Sequence, residues 1–224
     1  MSGATHTPVL IAGGGIGGLA TALALSRGGH RVRVLEQASR FVEVGAGVQL
    51  APNATRALAH LGVLQRVERH AVRPARLRLM DAVDGTEITS LDAGSPLLER
   101  YGAPYIVLHR HDLLSELLRA CRDEQRIELE TSKRVPMLQY LAQGACQALE
   151  DAVQLARDLT PERDAHEAFL AYESVRIPRT ARVQRTARDW EELWHLDGIG
   201  RAVRNRLLRQ RQPADYSETD WLYA

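Results

Sequence analysis

The first 36 residues pass from an apolar run to a glycine cluster and back to apolar positions. Residues 9–11 form an apolar run without polar alternation, which is typical of a strand covered on both faces. After the glycines of residues 13–18, apolar residues recur at helical spacing as far as Leu25, and a second apolar run at residues 32–35 ends at Glu36. This order predicts a strand–helix–strand unit with parallel strands.

Further along the chain the pattern indicates antiparallel strands. Residues 77–80 and 87–91 are strand-like and flank Asp84-Gly85, a dipeptide typical of tight hairpin turns. We therefore predict a hairpin at about residues 76–91. Residues 92–104, which follow it, are predicted to be a loop.

Helices are predicted from apolar periodicity and from polar residues that cap helix starts. Asn53 is predicted to cap a short helix, and Asp112 is predicted to cap a longer one. From Pro136 onward the pattern is helical or irregular throughout. One helix in this part is predicted to open at Pro161 and to be interrupted at Pro178.

The composition of the 224 residues is that of an ordinary globular chain, with 45% hydrophobic residues, 25% charged residues and a formal net charge of +1. It rules out disorder, collagen-like repeats and coiled coils. The net charge gives no reason to expect nucleic acid as a partner. Residues 178–212 hold nine arginines and four acidic residues. We interpret them as the solvated face of packed helices, with a partner surface or a substrate-steering patch as the alternative.

Residues 8–25 carry no charge and have the length of a membrane span. Five glycines lie within this stretch, however, and no positively charged segment precedes it. A buried strand, a turn and a helix explain it better than a membrane helix or a signal peptide does. We expect a soluble, cytoplasmic protein without a membrane span.

The glycines fit the pattern G-x-G-x-x-G between a strand and a helix, and an acid ends the next strand. In such a turn Gly13 permits the tight bend, Gly15 lets a pyrophosphate approach the backbone, and Gly18 lets the helix pack close to the strand. Free N–H groups and the helix dipole would stabilise the phosphate charges. Glu36 would accept hydrogen bonds from an adenosine ribose. We interpret the turn as a dinucleotide site rather than a merely structural turn, although the motif alone does not choose between FAD and NAD.

Three stretches and the C-terminal tail resemble the single-component FAD-dependent aromatic hydroxylases. They are residues 43–53, 108–114 and 136–152 and, in the tail, residues 176–184, 215–217 and 220–223. Within that family the third stretch and the tail look closest to the enzymes that hydroxylate 3-hydroxybenzoate at position 6, and salicylate 1-monooxygenases are near relatives. The resemblance implies an α/β fold with three parts: a Rossmann-like FAD-binding βαβ core with a parallel sheet, a remnant antiparallel hairpin and a C-terminal helical segment.

The resemblance also divides the chain in two. Residues 1–135 correspond to the N-terminal part of the FAD-binding domain, including the hairpin, and residues 136–224 correspond to a C-terminal helical part that returns to the flavin site. The central region of the family belongs between Val135 and Pro136, so the chain reads as the two ends of the family joined directly. We therefore expect the hairpin to lack neighbours, and sheet edges and helix faces to be exposed.

Position by position, the resemblance assigns residues to the cofactor and the substrate. The residues assigned to the FAD pyrophosphate are Gly13, Gly15, Gly17 and Gly18, and those assigned to the adenosine ribose are Glu36 and Gln37. The residues assigned to the rest of the FAD are Gln49, Arg110, Gly144 and Ala145, of which the last two lie at a helix N-terminus that faces the flavin. Gln139 is assigned as the catalytic, substrate-facing polar group, and a loop residue bonded to the backbone is the equal alternative. No residue is assigned to a metal.

The activity implied by the resemblance is the conversion of 3-hydroxybenzoate to 2,5-dihydroxybenzoate with FAD, O2 and NADH or NADPH. The partners would then be a small aromatic acid and O2, and a homodimer is the expected oligomer. Two other functions stay open. One is a non-catalytic FAD-binding remnant or helical interaction module, which the absent central region favours for these 224 residues. The other is an NAD-dependent dehydrogenase, which the lack of a hydride-transfer constellation disfavours.

Overall fold

The structure is a computed structural model that describes residues 8–41, 46–133, 145–160 and 162–223. Its strands are β1 (Val9–Ala12), β2 (Val32–Leu35), β3 (Gly47–Leu50), β4 (Arg76–Met80), β5 (Glu87–Asp92), β6 (Ile106–His109) and β7 (Ile127–Glu130). Its helices are α1 (Ile16–Arg27), α2 (Pro52–His60), α3 (Leu64–Glu68), α4 (Ser95–Tyr101), α5 (Arg110–Asp123), α6 (Ala145–Asp158), α7 (Ala165–Trp194), α8 (Gly198–Arg209) and α9 (Asp220–Tyr223).

A three-stranded parallel sheet is central to the fold. Its strand order is β1–β2–β7, with Val9 beside Val32 and Val32 beside Ile127. β1, α1 and β2 form the strand–helix–strand unit that the apolar pattern predicts. β1 lies at the edge of this sheet, and the side chain of its residue Leu10 is 61% exposed.

Helices α1, α2, α5 and α6 share one hydrophobic core with the sheet. α1 contacts β2, α5 and α6, so its apolar residues face neighbours on several sides, and Leu19 and Leu25 are fully buried. Leu58 of α2, Leu117 of α5 and Leu149 of α6 complete the same core. Burying one leucine side chain contributes about 1.5–3 kcal/mol. This core therefore binds α6 firmly to the N-terminal half of the chain.

Two antiparallel strand pairs accompany the parallel sheet. β3 pairs with β6, and β4 pairs with β5 as the predicted hairpin. Gly85 has a φ of +70° in the hairpin turn, a conformation that glycine adopts without steric penalty. The predicted α/β fold, with a parallel sheet, a hairpin and C-terminal helices, is confirmed.

The expectation that the hairpin would lack neighbours is wrong, because α8 packs on β5. Arg201 and Asn205 of α8 both donate to the buried carboxylate of Asp81, with Arg201 Nη1 lying 2.7 Å from Oδ1. Arg209 Nη2 donates to Thr86 Oγ1 at 3.0 Å. The C-terminal helices therefore cover part of the hairpin surface that we expected to be exposed.

Both predicted helix caps are also wrong. α2 begins at a proline one residue before Asn53, so the Asn53 side chain lies within the first helical turn and bonds to α6 instead. α5 begins at Arg110, ahead of Asp112, and the Nδ1 atom of His109 accepts a hydrogen bond from the backbone of the first turn. In both cases a residue earlier in the chain already has the extended backbone that precedes a helix.

Residues 92–104 are not a loop throughout, because they contain α4. Pro96 lies in the first turn of this helix, and Gly102 ends it in the left-handed conformation with a φ of +66°. A proline near the start and a glycine just after the end are both local signals of a short helix. The predicted loop at residues 92–104 did not take these two signals into account.

α7 runs through Pro178 without the predicted interruption. Arg176 and Arg179, on either side of the proline, are both bonded to Glu150 of α6. The hydroxyl of Thr180 also donates to the carbonyl of Arg176 at 2.8 Å. These contacts hold both halves of the helix in line, although the proline removes one helical hydrogen bond.

No helix among residues 8–41, 46–133, 145–160 and 162–223 is long and apolar enough to cross a membrane. The predicted boundary between residues 135 and 136 lies outside the described residues, as does the predicted helix start at Pro161.

Candidate functional site

The glycine turn between β1 and α1 is closed on one side and open on the other. A Cβ atom at Gly18 would lie 2.0 Å from the carbonyl oxygen of Gly13, which a side chain does not tolerate. A Cβ atom at Gly15 would meet no heavy atom within 4 Å. Gly13 itself has a φ of +103°, which only glycine adopts readily. The backbone therefore folds tightly on itself at Gly18 and leaves free space at Gly15.

The free space at Gly15 lies at the N-terminus of α1. Gly15 is the N-cap, no side chain caps it, and the first turn of α1 holds no acidic residue. The first N–H groups of a helix have no partner within the helix, and the helix dipole adds a partial positive charge there. This end of α1 is suited to an anionic group such as a pyrophosphate.

Glu36 reaches back from the end of β2 to the glycine turn. Its Oε2 accepts a hydrogen bond from the N–H of Gly14 at 2.7 Å, and its Oε1 accepts one from the N–H of Ala38 at 2.8 Å. Gln37 follows it and is exposed. A carboxylate beside the turn, with an exposed amide next to it, is what an adenosine ribose would require.

Phe41 closes the same turn and was not identified from the sequence. Its ring lies so close to Gly14 that a Cβ atom there would be 2.2 Å from Phe41 Cε1. The ring also packs against the main hydrophobic core. The sequence does not indicate this contact, because the position of the partly buried ring depends on the conformation of the segment that holds Phe41.

α6 begins beside the glycine turn. A Cβ atom at Gly17 would lie 3.2 Å from the Cβ of Ala148, so α1 and α6 approach closely at this point. Ala145 is the first residue of α6 and is half-buried. Gly144 and Gln139, which precede it, lie outside the described residues. The structure therefore brings the first turn of α6, which Ala145 begins, close to the glycine turn.

Gln49 connects β3 to β6 and α6. Its Oε1 accepts a hydrogen bond from the hydroxyl of Tyr105 at 2.5 Å, and its backbone carbonyl accepts a 3.8 Å hydrogen bond from the thiol of Cys146. Burial raises the pKa of the Cys146 thiol and of the Tyr105 hydroxyl, so both groups keep their protons at neutral pH. Sequence reasoning did not single out either residue.

Arg110 lies at the opposite end of the β3–β6 pair from Leu50. Its backbone N–H donates to the carbonyl of Ala46 at 3.2 Å, which joins the start of α5 to the residue before β3. Gly47 is paired with His109, immediately before Arg110. Gln49 and Arg110 are therefore carried by the same two-stranded unit, and both are exposed.

A cluster of charged side chains fixes α6 from its other side. Glu150 accepts hydrogen bonds from Arg176 Nη1 at 2.6 Å and from Arg179 Nε at 2.5 Å, and Asn53 donates to it as well. Burial alone would raise the pKa of Glu150, but the hydrogen bonds from Arg179, Asn53 and Arg176 outweigh it and hold the pKa below its ordinary value. This cluster joins α2, α6 and α7. Its members lie far apart in sequence, so their pairing could not be read from it.

These residues fit one end of a dinucleotide. The turn supplies free space and helical N–H groups for a pyrophosphate, and Glu36 supplies an acceptor for a ribose. The start of α6 lies against the same turn, close to Gln49. Among the described residues no group of three or more His, Cys, Asp or Glu side chains could hold a metal ion.

Comparison with known proteins identifies the family of this chain. The family called "FAD binding domain" matches residues 6–134, more than half of the chain. The 3-hydroxybenzoate 6-hydroxylase of Polaromonas naphthalenivorans is 45% identical over 127 residues, which cover 57% of this chain and 32% of the relative. In that comparison the chain matches about one third of the relative's length.

A second relative matches at both ends. The 3-hydroxybenzoate 6-hydroxylase of Klebsiella oxytoca is 25% identical over 379 aligned positions, which cover 96% of this chain and 96% of the relative. Because this chain has only 224 residues, at least 155 of those positions (379 less 224) have no residue here. The alignment agrees with the interpretation that a central region of the family is absent.

Solved structures support the same fold. The R204Q variant of HpxO from Klebsiella pneumoniae, solved with FAD, superposes with a TM-score of 0.77 over 92% of this chain and 95% of its own, at 17% identity. The family match decides the choice between FAD and NAD that the glycine motif leaves open, and FAD is the cofactor. The two relatives are named as hydroxylases of 3-hydroxybenzoate, and this chain belongs to the FAD binding domain family.

Proposed function

We propose that this chain supplies the FAD-binding scaffold of a monooxygenase that hydroxylates a phenolic acid. The observation that carries the proposal is the open glycine turn, with Glu36 bonded to Gly14 and the start of α6 packed beside Gly17. The names of the relatives point to 3-hydroxybenzoate as the substrate and to 2,5-dihydroxybenzoate as the product. A salicylate 1-monooxygenase-like activity is the alternative within the same chemistry.

The roles proposed for the cofactor residues rest on the family resemblance and, for the described residues, on their places in the fold. Gly13, Gly15, Gly17 and Gly18 form the pyrophosphate turn, and Glu36 with Gln37 faces the ribose. Gln49, Arg110, Gly144 and Ala145 are proposed for the rest of the FAD, with the dipole of α6 favouring negative charge on the group at its N-terminus. Gln139 is proposed to face the substrate.

Bound FAD would supply the redox chemistry, accepting a hydride from NADH or NADPH and activating O2. The balance is one phenolic acid, O2, NAD(P)H and a proton giving the hydroxylated acid, NAD(P)⁺ and water. In 3-hydroxybenzoate, position 6 is para to the phenol, which makes that carbon electron-rich. The protein's share is to hold the cofactor and the ring in reacting geometry and to exclude water.

A second candidate function is a non-catalytic FAD-binding remnant or interaction module. The observation that favours it is that at least 155 aligned positions of the Klebsiella oxytoca relative have no residue in this chain. Missing positions on that scale remove pocket lining rather than surface loops. We propose a cytoplasmic location and a homodimer for either function.

An absorbance titration with FAD tests the proposal. We expect purified chain to bind FAD and to shift the flavin bands, and we expect Glu36→Gln to bind it more weakly with little change in melting temperature. Glu128→Gln is the matched control, because Glu128 lies on β7 of the parallel sheet, is exposed and is away from the turn. A folded chain that leaves the flavin spectrum unchanged would overturn the monooxygenase scaffold and the FAD-binding remnant, and would leave the interaction module.

A further inference from the structure

A groove of about 660 Å3 lies among α2, α6 and α7, apart from the glycine turn. α6 contacts both α2 and α7, and each helix contributes lining residues spaced three or four positions apart, as on one helical face. Arg157 of α6 lines the groove and is twelve residues after Ala145, which corresponds to about 18 Å along the helix axis. The Arg157 end of the groove is therefore remote from the proposed flavin end of α6.

Two of the cations in the groove are neutralised within the protein. Arg176 is bonded to Glu150 and to Asp151, and Arg179 is bonded to Glu150 as well. Two guanidinium groups thus share two carboxylates, and their charges cancel. Arg179 completes its hydrogen bonds on the carbonyls of Trp221 and Leu222.

Among the residues that the structure describes, the remaining cations have no acidic partner. Arg56 is exposed and donates only to two backbone carbonyls, that of Tyr101 at 3.2 Å and that of Tyr223 at 2.5 Å. Arg157 is exposed, and in the described part of the chain its side chain makes no hydrogen bond or ion pair. The exposed ring of His60 lines the same groove. The groove therefore carries a net charge of +2, or +3 when His60 is protonated.

Two valines line the same groove. Val153 of α6 is 8% exposed, and Val175 of α7 is 49% exposed, which is unusual for a valine in a concave site. A ligand resting on these valines would remove apolar surface from water while its charged end lies near the arginines. A groove of this volume is within the range of small-molecule sites.

We propose that this groove binds a small organic anion, with a carboxylate or phosphate paired to Arg157 and Arg56 and an apolar body resting on Val153 and Val175. Guanidinium groups recognise both kinds of anion through paired N–H donors. The inference does not rest on the proposed function, because no residue of the groove takes part in the glycine turn.

The test is a methyl NMR titration of the full chain with benzoate, phenyl phosphate and neutral benzamide. We expect saturable shifts at the Val153 and Val175 methyls with one or both anions and no saturation with benzamide. A preference for phenyl phosphate over benzoate would identify the ligand as a phosphate ester, and the reverse would identify a carboxylate. Saturable shifts only at Val48, beside Gln49, would place the anion at the other end of α6 and overturn the proposal.

Two arginine variants sharpen the same titration. Arg157 and Arg122 are both exposed, lie in the last turn of 14-residue helices and make no side-chain bond among the described residues. We expect Arg157→Gln to weaken anion binding at least fivefold and Arg122→Gln to leave it unchanged. Equal binding by all three proteins would overturn the proposal. Both substitutions replace exposed side chains, so loss of folding does not obscure the result.

Discussion

Gly15 and Gly18 lie three residues apart in one turn and are required for different reasons. At Gly18 an added Cβ would collide with the backbone oxygen of Gly13. At Gly15 it would enter open space and leave the backbone conformation, with φ −74° and ψ −175°, undisturbed. The fold needs a glycine at position 18, whereas at position 15 it does not, and the role proposed for Gly15 is to let a ligand come close to the backbone.

The two glycines therefore give opposite outcomes when replaced by alanine. We expect Gly18→Ala to destabilise the chain by about 1–3 kcal/mol, since the turn must open to relieve the clash. We expect Gly15→Ala to keep the stability within about 0.5 kcal/mol and to weaken FAD binding by about tenfold or more, equivalent to about 1.4 kcal/mol. Denaturant unfolding and flavin fluorescence titration measure the two effects. Equal FAD affinity for wild type and Gly15→Ala would contradict the assignment of the pyrophosphate to this turn.

The positions of Gly15 and Gly18 in the turn could be predicted from the sequence, because the backbone geometry of a glycine turn is set by its neighbours in the chain. Glu36 was also predictable, since the end of a second parallel strand lies beside the turn in any such unit. Asn53 was misassigned as a cap because its partner Glu150 lies 97 residues away. Sequence spacing carries no signal for a hydrogen bond across that separation.

At the scale of elements, α6 is held from both sides. Ala148 of α6 packs against Gly17 of α1, which sets the distance between these two helices. Glu150 of α6 is bonded to α7. The continuous course of α7 through Pro178 follows from the same attachment, which explains why helix propensity alone gave the wrong answer there. Tertiary contacts override local preference when both flanks of a proline are anchored.

Glu150 makes the attachment of α6 sensitive to acid. Its pKa in the folded chain lies below the ordinary value of 4.5, so its stabilising effect is complete above that value and is lost as the pH falls through the folded pKa. We expect Glu150→Gln to lower the free energy of unfolding at pH 6 by about 3–5 kcal/mol, because two guanidinium groups lose a buried partner. The difference from wild type should narrow on acidification below pH 4.5.

Urea unfolding of both proteins at several pH values between 3 and 7 measures this effect. Glu162→Gln serves as the control, since Glu162 is exposed and lies before α7. A difference between wild type and Glu150→Gln that stays constant across the whole range would show that the ionisation of Glu150 does not contribute to stability.

At the scale of the whole molecule, the chain combines a retained cofactor turn with a long gap relative to complete relatives. The overall α/β class was predictable from the apolar pattern, because each parallel strand and its helix are contiguous in sequence. The packing of α8 on the hairpin could not be predicted, because Arg201 and Asp81 are 120 residues apart and neither belongs to a recognisable motif. The C-terminal helices replace some of the burial that the fold would otherwise lack.

That replacement covers the hairpin, but at least 155 aligned positions of the Klebsiella oxytoca relative still have no residue here. We expect the 224 residues alone to show no coupled hydroxylation, even with FAD bound, because the ring would not be shielded from water or held in position. Any oxidation of NADH should yield hydrogen peroxide. Product analysis by chromatography, together with NADH consumption, measures the coupling. Conversion of 3-hydroxybenzoate to 2,5-dihydroxybenzoate in step with NADH would contradict this expectation.

The edge position of β1 also governs how molecules of this chain behave toward one another. Val9 and Gly13 direct their N–H groups to the neighbouring chain segment around β2, so the intervening Leu10 and Ala12 point theirs outward, where no described strand receives them. An extended segment from a second molecule can form hydrogen bonds with these outward N–H groups, and burial of the exposed Leu10 side chain would stabilise the contact. Association of this type increases with protein concentration, so we expect the purified chain to aggregate faster as its concentration rises.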